Sequence, residues 1–139
     1  MDLIDVANLP IELKEIVEEY RKGSHWQHMN FEVQSINKGF VSLKLTNREE
    51  FNNIKGTIHG GILAALLDTT MGMTARTMLK GSPVTIQLNI QYVKPVINET
   101  IFSKSKMINI SRQVCFLEGQ IFDEADNLIA FATGSFKVS

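Results

Sequence analysis

The residues able to do chemistry fall between positions 53 and 68. Asn53, His59, a Gly60-Gly61 pair and Asp68 follow one another, and the glycine pair stands where an apolar helical run begins. Free backbone N–H groups at a helix start attract developing negative charge. The Gly60 amide is therefore a candidate donor to a carbonyl oxygen. Asp68 stands among Leu66, Leu67 and Met71, and a carboxylate in apolar surroundings is costly unless something uses it. A carbonyl-polarising donor with a nearby base points to an enzyme. Each residue also has a plainer role. The glycines allow close helix–strand packing, Asp68 can be satisfied by Thr69, Thr70 or backbone donors, and Asn53 suits a turn. His59 suits loop positioning better than proton transfer.

Spacing adds a constraint. Nine residues separate His59 from Asp68, about 13 Å of helix rise and roughly a half-turn of rotation. One helix cannot easily aim the Gly60 amide and the Asp68 carboxylate at the same atom. Two antiparallel helices from two copies can, which predicts a site shared across a homodimer.

Other chemistries have less support. The glycine spacing is neither the dinucleotide fingerprint nor the P-loop. His25 and His28 are three apart without a cysteine or acidic partner at ligand spacing, so neither a metal nor a cofactor is expected. Cys115, between Val114 and Phe116 in a β-like run, suits an inert buried thiol. Met71, Met73 and Met78 suit a core, or a flexible acyl pocket beside the helix.

Several elements must position these residues. Residues 10–22 predict a short amphipathic helix, with Pro10 in the first turn, Leu13, Ile16, Val17 and Tyr20 on one face, and Gly23 as the stop. Met29/Phe31/Val33 and Val41/Leu43/Leu45 predict a hairpin turning at Asn37-Lys38-Gly39. From Gly60 to Leu79 the helical pattern is apolar almost all round, predicting a helix buried on most sides, ended by Gly81-Ser82-Pro83. Residues 84–92 then alternate cleanly, and β-rich runs follow near 100–110, 112–122 and 128–137, with a turn at residues 123–127. Strands in hairpin-like succession around one long helix predict a mostly antiparallel α+β fold. Its exposed edge strands are best relieved by pairing with a second copy.

With 139 residues the chain suits one domain, residues 1–139, with an N-terminal helical segment over residues 1–24. Hydrophobic residues make up 44% and charged residues 21%, which excludes disordered and fibrous classes. The net charge of −1, without a basic stripe, argues against nucleic-acid binding. Asp2 and Asp5 stand where a secretory leader would be basic. Asp68 and Arg76 interrupt the longest apolar region, so no membrane span is expected. One cysteine excludes an internal disulfide framework. A cytoplasmic protein is the expectation.

The ordered set Asn53, Gly56-Thr57-x-His59-Gly60-Gly61, Asp68 and Asn89-Ile-Gln-Tyr92-Val-Lys-Pro95, closing on Ala130-x-Ala132-Thr133-Gly134-x-Phe136, resembles the hotdog-fold thioesterases. The likeness is to the phenylacetate-pathway type and the thioesterase superfamily members, and spans roughly residues 28–138. It implies an antiparallel sheet wrapped around a central helix, sites at a dimer interface, and often a dimer of dimers. By the same resemblance the Gly60 amide polarises an acyl-CoA carbonyl, helped by Asn53 and by the placement of His59. Asp68 of the other subunit acts as general base or as nucleophile. The position that often carries a serine near the water falls on Thr85, although alternation places Thr85 opposite the apolar row of its strand. Lys94, Lys104, Lys106, Arg112 and Lys137 are candidates for the CoA phosphates. The resemblance leaves two other readings. One is a non-catalytic acyl-CoA-binding module, though the roughly 25 residues before the sheet are few for a DNA-binding unit. The other is a dehydratase or hydratase, whose histidine–carboxylate pairs stand in other contexts.

Overall fold

The computed structural model describes residues 4–139, so Asp2 and the start of the N-terminal segment lie outside it. Helix α1 (Ile11–Arg21) buries Leu13, Ile16 and Val17, as its 3.6-residue spacing requires. A second helix, α2 (Ser24–Met29), follows Gly23 and buries Trp26 and Met29. The sequence predicted no helix there and assigned Met29 to a strand. One turn with a single i,i+3 apolar pair carries no readable period, and Met29/Phe31/Val33 mimics alternation. Asn30, in the left-handed region at φ 55°, ends the turn.

Strands β1 (Glu32–Asn37) and β2 (Phe40–Leu45) form the expected hairpin. Its turn is Lys38-Gly39, with Gly39 at φ 78°. Val41, Leu43 and Leu45 are fully buried on one face of β2. Helix α3 (Gly60–Met78) is the long central helix, and β3 (Pro83–Tyr92), β4 (Ile101–Ser111), β5 (Val114–Phe122) and β6 (Leu128–Val138) complete the fold. All pairings are antiparallel, in the order β1-β2-β4-β5-β6-β3. This α+β arrangement is the hotdog fold, a six-stranded sheet wrapped around α3.

The helix packs on β2 through β6, pressing Leu63, Leu66, Leu67, Met71 and Met73 into the sheet. Two strand glycines permit this approach. A Cβ at Gly119 would meet Met71 Sδ at 3.0 Å and Leu67 Cδ2 at 3.1 Å, and one at Gly134 would meet Gln87 O at 3.0 Å. The helix is not buried all round. Ala64, Ala65, Asp68, Thr69 and Arg76 are half-buried and Gly61 and Met78 exposed, because the sheet covers one side and α1 only part of the other. The turn at 123–127 is as predicted: the Asp123 carboxylate accepts from the backbone N–H groups of Ala125 and Asn127 and from Asn127 Nδ2.

Strand β3 departs from its clean alternation. It lies at the sheet edge, with Val84, Ile86 and Tyr92 exposed. A bulge interrupts it, because Thr85 pairs with Phe136 while Gln87 pairs with the next residue, Ser135. Ile86 is the extra residue, and a bulge exchanges the faces of the strand on either side of it. No helix among the described residues is long and apolar enough to cross a membrane.

Candidate active site

The loop before α3 is built by its own side chains. Asn53 Oδ1 accepts from the N–H groups of Lys55 and Thr57, and Asn53 Nδ2 donates to Thr57 Oγ1 at 2.8 Å. The loop is anchored by Ile58 N–H on Val96 O and His59 N–H on Phe51 O. Asn53 thus spends most of its amide closing the loop, and one Nδ2–H remains.

His59 is the N-cap of α3. Its Nδ1 accepts from the Gly61 N–H at 2.8 Å, which leaves the neutral ring protonated on Nε2. The expected supporting role takes this form. A side chain at Gly61 would crowd Nδ1 at 3.1 Å, so the second glycine makes room for the cap. The His59 carbonyl accepts from Ile62 and Leu63, polarising the peptide whose N–H is that of Gly60. That N–H finds no acceptor among the described residues. Tyr92 covers Gly60: its hydroxyl donates to Gly60 O at 3.2 Å, and its ring lies 3.5 Å from where a Cβ would stand. This contact was not predicted, because Tyr92 is far away in sequence and reaches Gly60 only through the packing of β3 along α3.

Asp68 lies two turns further on, half-buried rather than surrounded by its apolar sequence neighbours. Leu66, Leu67 and Met71 point to the sheet, while Asp68 faces a cleft. Thr85 Oγ1 donates to Asp68 Oδ1 at 2.6 Å. The β3 bulge is what brings Thr85 to the helix; strict alternation would have turned it away. The cleft, of about 380 Å³, is lined by Tyr20, Trp26, Asp68, Gly72, Thr85 and Phe136 among others. Burial, more than the neighbouring Glu19 charge, pushes the Tyr20 phenol up to about 12, with Arg76 opposing and Asp68 adding. Tyr20 and Trp26 belong to helices that the sequence linked to no site.

Within one chain, then, Thr85 meets Asp68 and His59 meets the Gly60-Gly61 pair, but the two groups stay apart. Cys115 is buried, and burial raises its thiol pKa. His25 packs edge-on to Phe31, and the His28 carbonyl accepts from Arg48 Nη2. The candidate phosphate-binding cations are all exposed. Lys94 pairs with Asp123 at 3.9 Å, and Lys104 sits over the Phe122 ring at 5.3 Å.

Residues 55–130 match the family described as the thioesterase superfamily. Human acyl-coenzyme A thioesterase 13 is 24% identical over 117 residues, covering 81% of this chain and 84% of the human one. Among solved structures, the Escherichia coli PaaI protein from the phenylacetic acid degradation operon superposes with a TM-score of 0.86 at 17% identity, covering 92% of this chain and 94% of its own. Streptococcus mutans smu.793, solved bound to acetyl CoA, superposes at 0.75 with 23% identity, covering 79% and 89%. At these identities the structures speak for the fold, and the family match speaks for the chemistry. The chain belongs to the thioesterase superfamily and is a thioester hydrolase.

Proposed function

We propose that the chain hydrolyses an acyl-coenzyme A thioester in a site completed by a second copy. The Gly60 N–H of one subunit polarises the carbonyl, and Asp68 of the partner subunit drives the attack. The observation that carries this reading is the placement of the two half-sites along β3. Tyr92 holds the Gly60 end and Thr85 the Asp68 end, and the outer edge of β3 pairs with no other strand among the described residues. A two-fold axis near Leu88 and Asn89, midway between Thr85 and Tyr92, would pair β3 antiparallel with its copy. Each Gly60 would then face the other subunit's Asp68, twice per dimer.

In that site water attacks the carbonyl carbon as Asp68 takes its proton, and the oxyanion forms against the Gly60 N–H. The remaining Asn53 Nδ2–H is available to the same oxygen. Collapse breaks the C–S bond, and the thiolate takes a proton, releasing CoA and the free acid. In the alternative course Asp68 attacks directly, and water hydrolyses the resulting anhydride. Thr85 orients the carboxylate in either case. Binding of acetyl CoA by the Streptococcus neighbour supports CoA as the carrier. On the outer sheet face Ile108, Phe116 and Phe131 are exposed, which supports back-to-back packing of two dimers.

A thiol-release assay over an acyl-CoA panel tests the proposal. Asp68→Asn is expected to lower kcat by about 10²–10⁴-fold. Equal rates for wild type and variant would sink the mechanism. Tight binding of an intact acyl-CoA without turnover would replace it with a binding module.

A further inference from the structure

We propose that the α1–α2 segment forms the acyl pocket of the chain that supplies Asp68, with Gly72 setting its depth and Tyr20 narrowing it, so that these residues select the acyl group. The proposal rests on the thioesterase reading and deepens it.

Asp68 and Gly72 are one turn apart on the same face of α3, and both line the cleft. Its reacting end is marked by the Thr85–Asp68 hydrogen bond. From there toward Gly72 the cleft leads away from the Asp68 carboxylate, where the proposed dimer sets the partner's Gly60, and offers space for an acyl tail. Its lining sets the polar Asp68, Thr85 and Glu19 beside the apolar Trp26, Pro83 and Phe136. Tyr20 packs edge-on against Trp26, with ring centroids 6.1 Å apart. The cleft volume falls within the range of small-molecule sites, roughly 300–1,000 Å³.

Gly72 is the second, independent observation. At Gly119 and Gly134 a Cβ would collide with Met71 or backbone at 3.0 Å, so packing demands glycine there. At Gly72 a Cβ would meet Phe136 Cε2 at 3.6 Å, the Tyr20 hydroxyl at 3.8 Å and Pro83 Cγ at 4.0 Å, all ordinary contacts. Glycine in a helix interior is also less favourable than alanine. Neither packing nor helix propensity calls for glycine at 72. What it provides is open space at the floor of the cleft, under the Tyr20 hydroxyl. That hydroxyl has no hydrogen-bond partner among the described residues, so it is free to meet whatever enters.

The test is a kcat/KM series over acetyl-, butyryl-, octanoyl- and benzoyl-CoA with wild type, Gly72→Ala, Tyr20→Phe and Tyr20→Ala. Gly72→Ala is expected to lower the ratio of the preferred bulky substrate to acetyl-CoA by about tenfold or more, the effect of one methyl-sized change in an apolar pocket. Its melting temperature should not fall. Tyr20→Ala is expected to move the preference toward larger acyl groups. Should it fail to fold, Tyr20→Phe, which keeps the ring, is expected to change the ranking by removing the hydroxyl alone. A uniform change across the whole series in both Gly72→Ala and the folded Tyr20 variant would overturn the pocket assignment. Should wild type hydrolyse none of these, the thioesterase reading fails instead. Calorimetric binding of the same intact series to wild type and Gly72→Ala then decides the pocket, with an unchanged affinity ranking counting against it.

Discussion

Gly60 is the residue whose backbone, rather than side chain, is assigned the chemistry, and its surroundings permit an unusually direct test. His59, immediately before it, has φ −61° and ψ 136°, the extended geometry that a following proline favours. Gly60 is the first residue of α3, where proline is well tolerated, and a Cβ there meets Tyr92 only at contact distance. Gly60→Pro therefore removes the proposed donor while leaving the helix its start. Its kcat is expected to fall about 10²–10³-fold, with unchanged far-ultraviolet circular dichroism. A variant as active as wild type would show that the Gly60 N–H is not the carbonyl donor. The candidate itself was legible at this scale, because a glycine pair at the start of an apolar helical run offers free N–H groups, although it also suits close packing. The turn-forming role of Asn53 and the positioning role of His59 were legible as well. Their partners, Thr57 and Lys55 for Asn53 and the Gly61 N–H for His59, were not, since hydrogen-bond partners depend on where the loop closes.

At the scale of elements, most of the strands followed from local pattern, since each has enough residues to display its period. Helix α2 did not, being only six residues long. The decisive irregularity is the bulge at Ile86, which turns Thr85 toward Asp68. A run of alternating residues contains no mark of a bulge, since it is a feature of the pairing of β3 with β6 rather than of β3 alone. The β5–β6 turn offers an element-scale prediction. Hydrogen bonds from the Asn127 side chain and backbone, aided by Ala125 and Lys94, hold the Asp123 carboxyl below its ordinary value. A carboxylate with a depressed folded pKa stabilises the fold above its unfolded value, about 3.9, and that contribution is lost as pH falls through the folded value. The melting temperature of Asp123→Ala should lie below that of wild type at neutral pH, and the gap should close on acidification below about pH 4. A gap independent of pH would mean that the turn is held by backbone geometry rather than by charge.

For the whole molecule the question is whether one chain suffices. The proposed half-sites on α3 lie against β3, whose outer edge is unpaired among the described residues, and a long exposed edge is itself an invitation to pair. Mixing Gly60→Pro and Asp68→Asn subunits tests the shared site. In each mixed dimer both defects would fall in one site, and the other would be intact. Random reassembly of equal amounts should restore about a quarter of the wild-type sites, read by thiol release after exchange. If each chain carried its own complete site, mixing would restore nothing.

Sequence alone determined what depends on local order. The six β-rich runs, the apolar helix between them, and the candidacy of Gly60 and Asp68 required no distant contact to be read. The spacing of Gly60 and Asp68 along one helix even favoured a second copy, since rise and rotation per residue are constants of the helix. Tertiary structure decided what depends on convergence from afar. The bulge carried Thr85 to Asp68, β3 laid Tyr92 over Gly60, and α1–α2 closed a cleft above Gly72. None of these has a local signal, because each is an outcome of one sheet curling around one helix, where the curvature settles which distant side chains meet.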